Sequence, residues 1–255
     1  MFGLLPLCLC LFAAGSEPAF HNVTCEGHYR KHLQGACIDG REAIFWSFTD
    51  VLVKTDRQGR LLKQVPVASH HGDLCYENGK LYVAVNLGKF NEPPGKADSW
   101  VYVYDAADLR ELARHPVPEV VHGAGGMACH AGRFMVVGGL PADIEENYVY
   151  EYDRDFRFVR RHVIASGQTY RGIQTVAYAQ GSWWFGCYGT PKILLKTDEE
   201  FRLQGRYEFN CSIGIVPLAD GAFLVGVGNA EKGEGRTGRL VRARPDPHQG
   251  LKLED

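Results

Sequence analysis

Five stretches of this chain superimpose on a shared glycine: HLQGACIDG (32–40), HGDLCYENG (71–79), AGGMACHAG (124–132), IQTVAYAQG (173–181) and IGIVPLADG (213–221). The fifth column of the alignment is always small, with Ala36, Cys75, Ala128, Ala177 and Pro217. Each glycine leads into a β-rich run: AIFWS, KLYVAV, RFMVVG, SWWFGC and AFLVGV. A third run then ends in aspartate, as VLVKTD, VYVYD, VYEYD, ILLKTD and, less regularly, LVRARPD. A more polar fourth run usually follows, as in RLLKQV, RELARH, FRFVRRH and RLQGRYEF.

The terminal residues Asp56, Asp105, Asp153, Asp198 and Asp246 are spaced 49, 48, 45 and 48 apart. Four short strands repeated at such a period mark propeller blades, because one blade cannot bury both faces of its own sheet. The reading is an all-β, five-bladed β-propeller of four-stranded antiparallel blades. Its repeats fall near 32–70, 71–122, 123–172, 173–210 and 211–255, with residues 17–255 as a single domain. Part of the segment before residue 32 closes the ring by pairing in the last blade, which removes open sheet edges. Asp39-Gly40, Asn78-Gly79 and Asp220-Gly221 supply the backbone of tight hairpin turns. The five aspartates are expected to brace the turns that follow them, since Asp accepts from nearby backbone amides.

The charges narrow the partners. With 28 Lys and Arg against 30 Asp and Glu, the formal net charge is −2 and no basic block exists. Nucleic acid is therefore excluded as the main partner, because phosphate binding needs concentrated positive charge. Phe2 to Ala14 is nearly all apolar and runs into Gly15 and Ser16, the form of a signal peptide over residues 1–16. Such a leader would make the protein secreted or periplasmic, with no membrane span after its removal. Cys8 and Cys10 would leave with it. Of the remaining six cysteines, Cys37, Cys75 and Cys129 read as buried thiols, and Cys187 with Cys211 is the candidate disulfide pair.

In an up-and-down blade, the start of the first strand and the loop between strands two and three open on the same mouth. That register gathers His32 and Gln34, then His70, His71 and Asp73, then His122, Arg171 and Gln174. Second-strand loops add Asn86 and Tyr188 to the rim. Three chemistries suit such a set. His32, His71 and His122 are candidate ligands for a divalent metal ion. His71 and His122 are candidate proton carriers, with Asp73 as the orienting carboxylate. Gln34, Arg171, Gln174, Asn86 and Tyr188 are candidate contacts to a small polar or anionic ligand, the Arg171 fork favouring a carboxylate or phosphate. A simpler reading has these polar groups filling a solvated channel mouth. The alternative function is a non-catalytic propeller that recognises a protein or glycan through rim aromatics such as Phe48, Phe90 and Tyr188. The loop NLGKFNEPPGKADSW (86–100) is the longest insertion near the mouth and reads as a surface loop.

HGAGG (122–126) has no nucleophile elbow to accompany it, and GKFNEPPGK lacks phosphate-loop spacing. HLQGA (32–36), VYVYDAADLREL (101–112) and RGIQTVAYAQGSWWF (171–185) do carry a resemblance, to the glutaminyl cyclotransferase family of five-bladed propellers. HLQGA resembles that family's F-T-Q-G-L, keeping Gln34 and Gly35. The third segment resembles its N-E-L-E-Y-x-x-G, keeping Tyr178 and Gly181. The resemblance implies a secreted propeller and cyclotransferase chemistry, with lyase or lactonase-like hydrolase chemistry as relatives by fold. Its acidic positions, however, fall on Trp46 and on Gln174 and Val176 or their neighbours. A cyclisation that moves protons through a carboxylate would lack its acid here.

Overall fold

The computed structural model describes residues 20–231 and 235–254. The signal-peptide reading of residues 1–16 falls outside the described residues. After the short strand β1 (Val23–Thr24), four complete antiparallel sheets follow in chain order. The first blade is β2 (Gly35–Ile38), β3 (Ala43–Phe48), β4 (Val51–Asp56) and β5 (Leu61–Pro66). The second is β6 (His71–Glu77), β7 (Lys80–Asn86), β8 (Ser99–Asp105) and β9 (Glu111–Pro116). The third is β10 (Ala124–His130), β11 (Arg133–Gly138), β12 (Asn147–Tyr152) and β13 (Phe158–Ile164). The fourth is β14 (Tyr170–Ala179), β15 (Ser182–Tyr188), β16 (Ile193–Thr197) and β17 (Leu203–Glu208). The fifth holds β18 (Ile215–Pro217), β19 (Phe223–Glu231), β20 (Gly235–Asp246) and β21 (Gly250–Leu253). The innermost strands touch in cyclic order, and β18 meets β2, so the five sheets form a closed five-bladed β-propeller.

The second strands are apolar on both faces because each blade is packed from both sides. Along β3, Ile44, Trp46 and Phe48 join a cluster with Val216, Leu224 and Leu240 of the fifth blade. The alternate residues Ala43 and Phe45 join Leu74, Leu81 and Val83 of the second blade. Strand alternation thus sends successive side chains into successive seams. Burying one such Phe or Leu contributes roughly 1.5–3 kcal/mol. The fourth strands β5, β9, β13 and β17 are mostly exposed and carry Lys, Arg, Glu and Gln, which suit an outer edge.

The last blade has a divided outer strand. Along one edge of β20, Val23 and Thr24 pair with Leu240 and Arg239, while Leu251 and Leu253 pair with Pro245 and Ala243. Arg242 ties the residues before β1 and after β21 to this edge: its guanidinium donates to the Phe20 carbonyl at 2.9 Å, Glu254 at 2.7 Å and Asp220 at 2.6 Å.

The aspartates at or just after the ends of the third strands brace turns. Asp56 accepts from the Gln58 and Arg60 amides, Asp105 from Ala107, Asp153 from Asp155 and Arg157, Asp198 from Glu200 and Arg202, and Asp246 from His248 and Gln249. The hairpin turns divide differently from the dipeptide reading. Asn78-Gly79 has positive φ at both residues, and so do Ala131-Gly132 and Gln180-Gly181. At Asp39-Gly40 only the glycine does. Asp39 there accepts from the amides of Arg41, Glu42 and Ala43, giving a wider turn. All six described cysteines are free thiols, so Cys187 and Cys211 are unbridged and buried, in the third–fourth and fourth–fifth seams.

Candidate functional site

A cavity of about 890 Å³ opens where the first strands begin. It is lopsided. The first and second blades contribute His32, Gln34 and His70, and the loop after β7 contributes Phe90 and Asn91. The fourth and fifth blades supply the cations Arg171, Lys192 and Arg236, beside Tyr170, Gln174, Tyr188, Asn210 and Ser212. No Asp or Glu lines the cavity among the described residues. Arg171 and Lys192 rest over aromatic rings, those of Tyr170 and Tyr188, at 4.9 and 5.1 Å from the centroids.

Gln34 organises the floor. It is nearly buried, and its Nε2 lies 2.8 Å from His32 Nε2, 2.9 Å from His70 Nε2 and 3.1 Å from Thr49 Oγ1. The amide nitrogen has two hydrogens for these three neighbours, so it serves at most one imidazole besides Thr49, and His70 Nδ1 is buried without a partner. Burial pushes His70 down to about 4, and the neighbouring His32 adds to the shift. Burial also lowers His32, helped by Arg236 and Lys31. Both shifts favour the neutral ring at pH 7. Tyr188 donates to Gln34 Oε1 at 3.4 Å, and burial holds that phenol protonated, at about 12.

The stretch SHHGDLCY divides its polar residues among three places. His70 faces the cavity. His71 is fully buried and points the other way, into the seam between the first two blades. Its Nδ1 donates to the Ala68 carbonyl at 2.6 Å, and its Nε2 accepts from the Tyr104 hydroxyl at 2.8 Å. Both nitrogens are thereby used in holding the blade together. Asp73 lies beneath the mouth among the innermost strands, only 2% exposed, and does not line the cavity. Its Oδ2 accepts from the Val176 amide across the ring at 3.3 Å, and its Oδ1 is buried without a partner. A Cβ added at Gly35 would sit 2.0 Å from that Oδ1, so Asp73 occupies space that only glycine leaves open. Burial raises the Asp73 carboxyl well above its usual range, against the opposing amides of Leu74, Val176 and Ala36.

His122 also stands outside the cavity. Its Nδ1 donates to the Glu92 carbonyl at 2.8 Å, while its own carbonyl accepts from the Asn91 amide at 3.1 Å. Asn91 Oδ1 in turn accepts from Leu140 at 3.1 Å. The long insertion is thus sewn to the third blade and forms a wall, with Phe90 edge-on to His70 at 5.1 Å between centroids. Asn86 holds the neck of that loop, its Oδ1 accepting from the amides of Asp98 at 2.8 Å and Gly88 at 3.2 Å.

Of the sequence candidates, the structure brings His32, Gln34, Arg171, Gln174 and Tyr188 together in one cavity and places His71, His122, Asp73 and Asn86 elsewhere. The three histidines considered as metal ligands do not converge. Among the described residues, no group of three or more His, Cys, Asp or Glu is placed to hold a metal ion. Sequence reasoning missed Lys192 and Arg236, which lie on a loop and on the long β20, outside the aligned columns. Trp46, at the family's acidic position, is fully buried and donates from Nε1 to Thr55 Oγ1 at 3.0 Å. Val176 is buried in the third–fourth seam, and Gln174 Nε2 donates to the Arg171 carbonyl at 2.7 Å.

No family model matches the chain, and no curated protein matches it in sequence. Solved structures do match it in shape. Glutaminyl cyclase of Myxococcus xanthus superposes with a TM-score of 0.60 at 12% identity, over 93% of this chain and 100% of the other. A Bacteroides caccae protein of unknown function superposes with a TM-score of 0.55 at 13% identity, over 92% and 94% of the two chains. At such identities the likeness is one of fold.

Proposed function

We propose that this propeller binds a small organic anion in its mouth cavity. The observation that carries the reading is the charge of the wall: Arg171, Lys192 and Arg236 converge there, with no carboxylate among the described lining residues. A concavity of several hundred Å³ lined by apolar and aromatic side chains with a few directed polar groups is the usual form of a small-ligand site. Phe90, Ile213 and Val227 supply the apolar surface here. Arg171, with a planar fork of donors, matches a carboxylate or phosphate.

The same wall argues for binding rather than for cyclotransferase chemistry. General acid–base catalysis needs a group within reach that can gain and lose a proton near the working pH. The cavity offers two imidazoles that burial lowers below the usual range, both packed against the Gln34 amide nitrogen, and a phenol held protonated. The fold is shared with a glutaminyl cyclase, yet where the sequence resemblance would place that family's acid this chain has the buried Trp46. Fold does not carry function without the site.

The test is thermal unfolding at low ionic strength with mono- and dicarboxylates, organic phosphates and the matching neutral amides. Carboxylates or phosphates should raise the melting temperature, and Arg171→Gln or Lys192→Gln should remove the increment. Equal stabilisation by the neutral amides would refute the reading.

A further inference from the structure

We infer that the mouth accepts organic acids whose nitrogen, where they carry one, is acylated, and that it rejects the same acids bearing a free ammonium group. This rests on the anion-binding reading above and adds the polarity of the rest of the ligand. The cavity has two ends of different character. Its cations belong to the fourth and fifth blades, so a carboxylate docks on that side. In an α-amino acid the ammonium group lies one carbon away from the carboxylate, and it would be carried into the field of the same three cations. No carboxylate among the described lining residues is available to offset them. A desolvated charge without a counter-ion is costly, and like charge beside it adds to the cost.

The floor offers an ammonium group little in return. Its natural acceptors would be the imidazole nitrogens of His32 and His70, but Gln34 Nε2 sits against both, at 2.8 and 2.9 Å, and blocks the approach. Gln34 Oε1 already accepts from Tyr188. Asn210 Oδ1 accepts from the hydroxyl of Ser212 at 3.0 Å. Every group in this network is neutral. An acylated nitrogen suits such surroundings: it carries no charge, and it needs one acceptor where an ammonium group needs three. At the cavity wall Gln174 Oε1 can accept from the amide N–H, its Nε2 being given to the Arg171 carbonyl, and Asn210 Nδ2 can donate to the amide carbonyl, its Oδ1 being taken by Ser212. The apolar remainder of the ligand then lies against Phe90, Ile213 and Val227.

Isothermal titration at pH 7 and low ionic strength tests this with three probes: N-acetylphenylalanine, phenylalanine and N-acetylphenylalaninamide. The alanine counterparts are run beside them, so that side-chain bulk does not decide the result. In at least one series the acetylated acid should bind roughly tenfold or more tightly than the free amino acid. Arg171→Gln and Lys192→Gln, shown to be folded by their circular dichroism, should lose that binding. Equal binding of the free and acetylated acids overturns the inference and leaves the anion reading standing. Equal binding of the acetylated acid and its neutral amide overturns the anion reading itself. Failure of both series to bind overturns both.

Discussion

Asp73 is the most exacting test of how this ring is held together. The carboxyl is 2% exposed, accepts from Val176 on the far side of the ring, and has one oxygen without a partner. Burial raises its pKa well above the ordinary value, so the native protein holds a proton that the unfolded chain releases near pH 3.9. The native state then binds one proton more than the unfolded state, and stability falls as pH rises through that window. The slope is about 1.4 kcal/mol per pH unit, from the unfolded pKa up to the native one. Asn has the same shape, keeps an acceptor for the Val176 amide, and does not titrate. Asp73→Asn should therefore gain on the wild type by about 1.4 kcal/mol for each pH unit until the native Asp73 itself ionises. Urea unfolding of both proteins at half-unit steps from pH 4.5 to 8 measures the difference, in which all other titrations cancel. Asp73→Ala should instead lose about 1–3 kcal/mol, because the Val176 amide is left without its acceptor. A difference between Asp73→Asn and wild type that stays flat across the whole range would refute the reasoning. It would mean that Asp73 is ionised in the folded protein and that its second oxygen has found a partner.

Other outcomes follow from the same contacts. Tyr104→Phe removes the hydroxyl that donates to His71 and should cost about 0.5–1.5 kcal/mol in urea unfolding. Titration with an acid that binds the wild type should show its affinity for the mouth unchanged. Arg242→Met should cost about 1–3 kcal/mol by freeing the Phe20 carbonyl, while Arg244 still holds Glu254. Limited proteolysis should then cut first in the segment before residue 30. Gly126→Ala places a Cβ 2.4 Å from the Gln174 carbonyl oxygen and should cost about 1–3 kcal/mol, read as a lower urea midpoint. An unchanged midpoint would show that the third and fourth blades can move apart freely.

The repeat was legible because its causes are local. A hairpin needs a turn residue at a fixed offset, a strand packed on both faces needs a continuous apolar run, and an aspartate needs only the next few amides to brace a turn. Those demands recur at each blade, so Asp56, Asp105, Asp153, Asp198 and Asp246 keep step along the chain and do what their spacing predicts. The blade count follows, since the unit recurs five times.

What the sequence could not settle is which way a side chain faces at a strand's irregular start. The pairing of β6 with β7 shifts register between His71 and Leu74, and within that irregularity strict alternation no longer sorts His70, His71 and Asp73. Adjacent histidines therefore looked equivalent, though one faces the cavity and the other bonds Tyr104 behind it. Lys192 and Arg236 were invisible for a different reason, because they reach the mouth from a loop and from an extended strand that the repeat does not govern. Sequence alone determined the fold class, the order of the strands and the bracing of the turns, all of which arise from contacts between near neighbours. Only the closed ring decided the cavity and its charge, because those belong to residues from different blades that meet when the circle is complete.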